Sequence, residues 1–506
     1  MRSRMLSFAL LVLLFTLCAL PAHAQLISLK TMPLATGEQF QLFPSQRVGV
    51  TLPDIALADT LRDPVASPAT GARLSGVRFF GAPIVYDYAG REGGGLTLPL
   101  GAFGSAGRWF GGLAGAVQEV QPVRVATPSW SSFAWANNVY PGSALPPRAR
   151  SDSRLNTYFF VLAGRRLGEH DAVAVSASQA WLQAVQGVEQ LYDGAAAIVQ
   201  DGDLLDLRLG YMHGYDDGGS LDVVLLRNAL HMTHDVAYLN NLALDPVTGS
   251  PLPVFTWERN PDRTHTLGAY LRYVRPVNDD WRAGFAFTVN RKTHPKIPNY
   301  RIMSIPRDPG TSTALNAGVG AAYEVDGVVF AADLALEPAW TVTWALADAP
   351  IVLDGVVVVP EGQRSVENHL RFMNGSLRLG VGRDLDRFAL GAGLEMRSIG
   401  YHMTQYRFDV PWMLRRQDER WTEWTPTWGA ALRLPGLVLQ YSGAVTFGSG
   451  AHSGGGWVGL ADGGSPTLDG VDFIPAPGAP LNFDYLTVWT HQLSVRVSPT
   501  GSRSRR

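Results

Sequence analysis

The stretch DWRAGFAFTVNR, Asp280–Arg291, decides the fold of this chain. Trp281, Ala283, Phe285, Phe287 and Val289 share one parity, while Arg282, Gly284, Ala286, Thr288 and Asn290 share the other. A period of two is the signature of a β-strand, whose successive side chains point to opposite faces. One face of this strand wants an apolar medium; the other tolerates small or polar residues.

The pattern recurs along the second half of the chain. Leu205, Leu207, Leu209 and Tyr211 alternate with Asp206, Arg208 and Gly210, and Val319, Ala321 and Tyr323 alternate with Gly318, Gly320 and Glu324. Leu390, Ala392, Leu394 and Met396 face away from Gly391, Gly393, Glu395 and Arg397. Near Met373 to Leu377 the alternation slips by one, which predicts a bulge or an early strand end.

Turns between these strands come in two sizes. Short turns sit at YDDGG near Asp217, VNDD near Asp279, Asp326-Gly327, RDLD near Leu385 and Pro435-Gly436. Such residues form hairpin turns. Between them lie long connections, read here as Ala229 to Arg263, Lys292 to Thr311, Ala347 to Ser365, Gly400 to Thr425 and Gly448 to Asn482. Short turns at one end and long loops at the other are the plan of an outer-membrane barrel. A β-sandwich or propeller also alternates its faces, but a propeller fits four strands into about 40 to 50 residues, and here that length holds two.

Composition agrees. Charged residues make up 17% of the chain against about 25% in ordinary soluble domains, so much of the surface is expected to avoid water. After the first residues no apolar run approaches the roughly 20 residues of a spanning helix. The opening MRSRMLSFALLVLLFTLCALPAHAQ has basic residues, an apolar run and Ala22-His23-Ala24, so residues 1–24 read as a cleaved secretory signal. Cys18 is the only cysteine and lies in that segment, which excludes disulfides and thiolate sites from the mature chain. A net charge of -2 gives no reason to propose nucleic acid as a partner.

The expected architecture is all-β, an antiparallel transmembrane barrel over residues 74–498, with a basic tail at 499–506. Counting strands gives about fourteen, or sixteen if RLSGVRFFGAPIVYDY and GGLTLPLGA contribute a further hairpin. Trp340 and Trp344, and Trp421, Trp424 and Trp428, cluster near predicted strand ends, where interfacial aromatic girdles belong. Residues 25–73 lack the alternation, but Val48, Ile55, Ala56, Leu57 and Leu61 offer an apolar set able to fill the lumen as a small hatch.

This N-terminal segment resembles the opening of the FadL-type family of outer-membrane transporters for hydrophobic compounds, which includes related secretion-associated barrels. The counterparts are Val48 to Val50, then Ala56, Leu57, Ala58 and Asp59, then Ser67, Pro68, Ala69, Thr70 and Gly71, with Ser67 where the family usually has Asn. The resemblance implies a fourteen-stranded barrel, a luminal N-terminal hatch, and lateral or periplasmic release of an apolar ligand.

Polar residues on the inward parity are Arg208, Arg272, Arg282, Glu324, Asp333, Arg378, Glu395 and Arg397. Their mixed signs predict ion pairs that brace the hatch, with Arg47, Arg62 or Asp63 as partners. His231 and His234 in HMTH have a spacing seen in metal sites, but no matching ligands lie nearby, and no metal or cofactor is expected. His452 and Ser453 in GAHSGGGW provide types needed for acyl hydrolysis, yet neighbours in a glycine-rich loop do not make a triad.

The leading expectation is a non-enzymatic passive conduit for small hydrophobic molecules, embedded in outer-membrane lipid. Leu230, Tyr238, Leu239, Leu242 and Leu244 would receive the ligand between the long loops. The alternatives are a structural or partner-binding barrel, its protein partner unknown, and an outer-membrane acyl hydrolase.

Overall fold

The computed structural model describes residues 44–48, 53–88, 94–121, 154–185, 195–244, 248, 251–294, 310–347, 349–408, 413–453, 457–458 and 487–499. The signal segment and residues 500–506 of the C-terminal tail lie outside them.

Sixteen antiparallel strands close a ring. The first, β1, is broken into Val77–Gly81 and Ile84–Tyr88, and both halves pair with the second strand and with the last. The others are β2 (Gly94–Ala106), β3 (Trp109–Gln121), β4 (Arg154–Arg166), β5 (Asp171–Leu182), β6 (Ala195–Gly214), β7 (Ser220–Leu244) and β8 (Pro251–Pro276). They continue as β9 (Trp281–His294), β10 (Gly310–Val325), β11 (Val328–Leu346), β12 (Arg364–Leu385), β13 (Phe388–Arg407), β14 (Met413–Leu434), β15 (Leu437–Ser453) and β16 (Thr487–Val497). Each pairs with its neighbour in sequence, and β16 returns to β1. The count is therefore sixteen, where the resemblance implies fourteen. The difference is the hairpin of β1 and β2. Pro83 breaks β1, since proline has no N–H for the ladder, but its carbonyl accepts from Leu493 N and Ala82 N donates to Pro99 O.

Register separates the two faces. One row runs Tyr273–Phe285–Val319–Leu334–Leu377–Met396–Trp424–Phe447 across eight strands, and exposed members such as Phe285, Val319 and Phe447 mark it as the outer wall. The row one residue away runs Gly284–Gly320–Asp333–Arg378–Glu395–Thr425. It faces the lumen. Large apolar side chains stand exposed on every side of the ring, from Phe79 and Leu100 to Leu390 and Leu493. A closed sheet leaves no unpaired edge, and an apolar outer wall needs hydrocarbon around it. This is an outer-membrane β-barrel.

Several expected connections are strand instead. β7 and β8 are 25 and 26 residues long, more than twice the 9–11 or so that cross a bilayer. The expected loop Ala229 to Arg263 is largely their extension, and HMTH lies on β7. Likewise β13 and β14 take up most of Gly400 to Thr425. Neither a bulge nor a strand end occurs at Met373 to Leu377. The register on β13 is the same on both sides, Phe372 opposite Tyr401 and Gly375 opposite Ser398, and the Asn374 side chain accepts the Gly400 N–H at 3.2 Å where the ladder is interrupted.

Candidate functional site

Residues 44–48 and 53–74 contact the inner wall. The segment organises itself around Asp59. One carboxylate oxygen accepts Leu61 N and Arg62 N at 2.9 and 3.1 Å, and the other accepts Gln46 N at 3.0 Å and the Ser45 hydroxyl. A short acidic side chain is suited to such turn-capping bonds. Asp63 accepts Asp59 N at 2.9 Å and begins the single helical turn α1 (Asp63–Ala66), with Pro64 in its first positions. A 3-10 turn, Pro68–Arg73, follows, and the Ser67 carbonyl accepts both the amide and hydroxyl of Thr70.

Apolar residues of the segment pack against the inner wall. Leu61, Ala69 and Leu74 pack with Phe80, Phe103, Phe110, Phe160 and Leu162 of the wall, and Val48 packs with Ala389 and Ala431. Ala56 and Leu57 pack with Ala322 and Ala331. The wall makes room by lacking side chains: a Cβ on Gly284 would lie 2.8 Å from Ile55 O, and one on Gly210 would lie 2.9 Å from Ala69 N. Glycines there let another backbone approach closely.

Polar groups tie the same contact. Arg272, 5% exposed, donates to Ile55 O at 3.0 Å, Leu57 O at 2.6 Å and the Asp63 carboxylate at 3.1 Å. Asp333 accepts the amides of Asp54 and Ile55 at 2.6 and 3.1 Å. Arg378 joins Glu395 at 2.9 Å and Asp54 at 3.3 Å. Arg208 pairs with Asp206 and donates to Val65 O and Ala66 O at 3.1 and 2.9 Å. Burial pushes the Asp63 carboxyl up against the opposing pull of Arg272, and burial pushes Arg47 down.

Four of the eight inward residues named from sequence thus touch the segment: Arg208, Arg272, Asp333 and Arg378. Glu395 acts through Arg378, and Arg397 pairs with Glu423 at 3.6 Å. Glu324 is exposed and its amide donates to Asp280 O, and Arg282 is exposed near the short-turn end. Parity would also have found Arg166, which donates to Ala72 O and Leu74 O at 3.0 Å, and Asp222, which lies 4.0 Å from Arg73. Arg166 belongs to the inward series Tyr158, Phe160, Leu162 and Gly164, but it stands beside a turn.

His231 and His234, three apart on a strand, point to opposite faces; His231 is exposed and His234 fully buried, so they cannot share a metal. Among the described residues no cluster of metal-ligating side chains occurs. His452 and Ser453 end β15, and their side chains lie outside the described residues, as do those of Tyr238, Leu239, Leu242 and Leu244.

Two cavities border the segment. One of about 70 Å³, among Arg47, Asp59, Asp63 and Arg272, has room only for water-sized molecules. The other is about 600 Å³ and lies between Val65 and the wall strands β3 to β9. Ala116, Tyr158, Phe160, Ala180, Leu204, Leu230 and Met232 give it an apolar lining, with Asp206, Arg208 and Lys292 among its few charged groups.

Fold and site together define an outer-membrane barrel whose inner wall holds residues of its own N-terminal segment. No family model matches the sequence, and no curated protein matches it. Among solved structures the chain is similar to the FrpB iron transporter from Neisseria meningitidis, with 8% identity, a TM-score of 0.33, and 84% of this chain and 81% of that chain covered. It is similar to a variant of the ferric enterobactin receptor PfeA from Pseudomonas aeruginosa, at 8% identity and a TM-score of 0.35, covering 83% and 80%. It is also similar to the copper transporter OprC, at 10% identity and a TM-score of 0.36, covering 83% and 80%.

Proposed function

We propose that the barrel is a passive conduit for small hydrophobic molecules and that residues 25–73 are its hatch, of which 44–48 and 53–73 are among the described residues. The observation that carries this reading is the cavity of about 600 Å³ beside Val65. Its size suits a small organic ligand, and an apolar lining with few charged groups favours burial of apolar surface while fixing orientation. The resemblance to the FadL-type opening supports the same reading, although the strand number departs from that family. No energy source is required, because the ligand would move down its gradient as the hatch shifts.

The test uses N-phenylnaphthylamine, an apolar fluorescent probe, with the full chain in detergent. Ala180, 4% exposed, lines the cavity. An indole there occupies the ligand's space, so Ala180→Trp is expected to weaken probe binding by about tenfold or more, a loss of about 1.4 kcal/mol or more. Heat-modifiable gel migration checks that the variant remains a barrel. Unchanged probe affinity in the folded variant overturns the cavity as binding site, and absence of probe binding or uptake by the unmodified protein overturns the conduit.

A partner-binding role has one observation in its favour, the ribbon formed where β7 and β8 run beyond the membrane. A stoichiometric co-purifying protein, together with a barrel sealed in bilayer conductance, would favour that role over transport.

A further inference from the structure

On three adjacent strands the outward apolar series gives way to cations. Along β7, Leu221, Val223 and Leu225 are followed by Arg227; along β9, Phe285, Phe287 and Val289 are followed by Arg291. On β8, away from the short turn, Leu267 is followed by His265 and Arg263. Register sets Arg227 and Arg291 on either side of Leu267, so their Cα atoms lie two strand spacings, about 10 Å, apart. Arg263 opposes His231, whose ring centre is 5.6 Å from that of His265. All five cationic or titratable side chains are exposed.

Among the described residues the nearby acids leave the three arginines unpaired. Asp203 lies 3.7 Å from His231, and Asp235 is taken by Arg259. Among the described residues Arg227, Arg263 and Arg291 form no ion pair. Short turns mark the periplasmic end, so the cluster stands at the outer-leaflet edge of the apolar wall. An arginine costs about 2–4 kcal/mol at the midplane and about 0–1 near the interface, which confines such a group to headgroup level. Guanidinium groups match phosphate oxygens in a paired geometry, and Leu267 between Arg227 and Arg291, with Leu225 and Val289 below them, offers apolar contact for acyl chains.

We propose that this patch binds the phosphorylated head of an outer-leaflet glycolipid, with Arg227, Arg263 and Arg291 on its phosphates. The binding is independent of transport. The experiment is native mass spectrometry of the full chain in detergent, titrated with bisphosphorylated lipid A, with its dephosphorylated form, and with phosphatidylglycerol. The phosphorylated glycolipid is expected to bind about tenfold or more tightly than either comparison lipid. A triple Arg227→Gln, Arg263→Gln, Arg291→Gln variant should lose that preference, while Arg371→Gln, an exposed residue on β12, should keep it. Equal binding of the two glycolipid forms to the unmodified protein overturns the proposal without any variant. Phosphatidylglycerol binding as tightly, or an unaffected triple variant, overturns it too.

Discussion

Arg272→Ala is expected to free the N-terminal segment from the wall. The change removes donors to two backbone carbonyls and leaves Asp63, whose side chain is 10% exposed, with the Asp59 amide as a hydrogen-bond donor and, among the described residues, the more distant Arg73 at 3.8 Å as its cation. Breaking a buried pair from one side costs about 3–5 kcal/mol, because the remaining charge stays desolvated. Since about 1.4 kcal/mol is a factor of ten, the docked state loses about a hundredfold or more in population relative to the undocked state. Planar-bilayer conductance should rise, and trypsin should cleave after Arg62 or Arg73 in the folded barrel. Arg272→Lys retains the charge but not the fork that reaches both carbonyls, so an intermediate effect follows. Arg208→Ala should do much less. Its side chain is 27% exposed, and water can replace its two carbonyl contacts. If Arg272→Ala leaves conductance and the tryptic pattern unchanged, Arg272 does not hold a hatch.

Parity made the wall legible from sequence. The same alternation that sends Phe285 outward sends Arg208, Arg272, Asp333 and Arg378 inward, and these four meet residues 54–66. What parity cannot give is lateral order. That Gly284, Gly320, Asp333, Arg378 and Glu395 form one row depends on register across five strands, which turn lengths and long-range pairing set jointly. The strand count failed at β1 because Pro83 interrupts its alternation, while hydrogen bonds from the flanking strands keep both halves in place. The reach of β7 and β8 was hidden for another reason. Beyond the lipid neither face of a strand must be apolar, so HMTHDVAYLNN carries no period of two even though its backbone is paired.

The glycines of the inner wall supply the other large expected effect, and their logic separates a hatch from an inert filler. A Cβ on Gly320 would lie 2.3 Å from the Asp333 carboxylate, 2.7 Å from Ile55 Cβ and 3.1 Å from Ala56 N. On Gly318 the nearest obstacle is different, the Ile55 Cδ1 methyl at 2.7 Å. Gly320→Ala is therefore expected to drive residues 54–56 off the wall, with an overpacking cost of about 1–3 kcal/mol plus the Asp333 hydrogen bonds to Asp54 and Ile55. Gly318→Ala should have a smaller effect. Ile55→Val, which removes Cδ1, should rescue Gly318→Ala but not Gly320→Ala, where Ile55 Cβ remains in the way. In a chain lacking residues 44–74 the sign should reverse, since alanine restricts the unfolded strand more than glycine does and stabilises by about 0.5–1 kcal/mol. Conductance reads the docking of the segment, and the midpoint of urea unfolding in lipid vesicles reads the barrel. A Gly320→Ala barrel whose conductance stays closed, or one destabilised equally with and without residues 44–74, would mean that the glycine row serves the strand itself and not a docked segment.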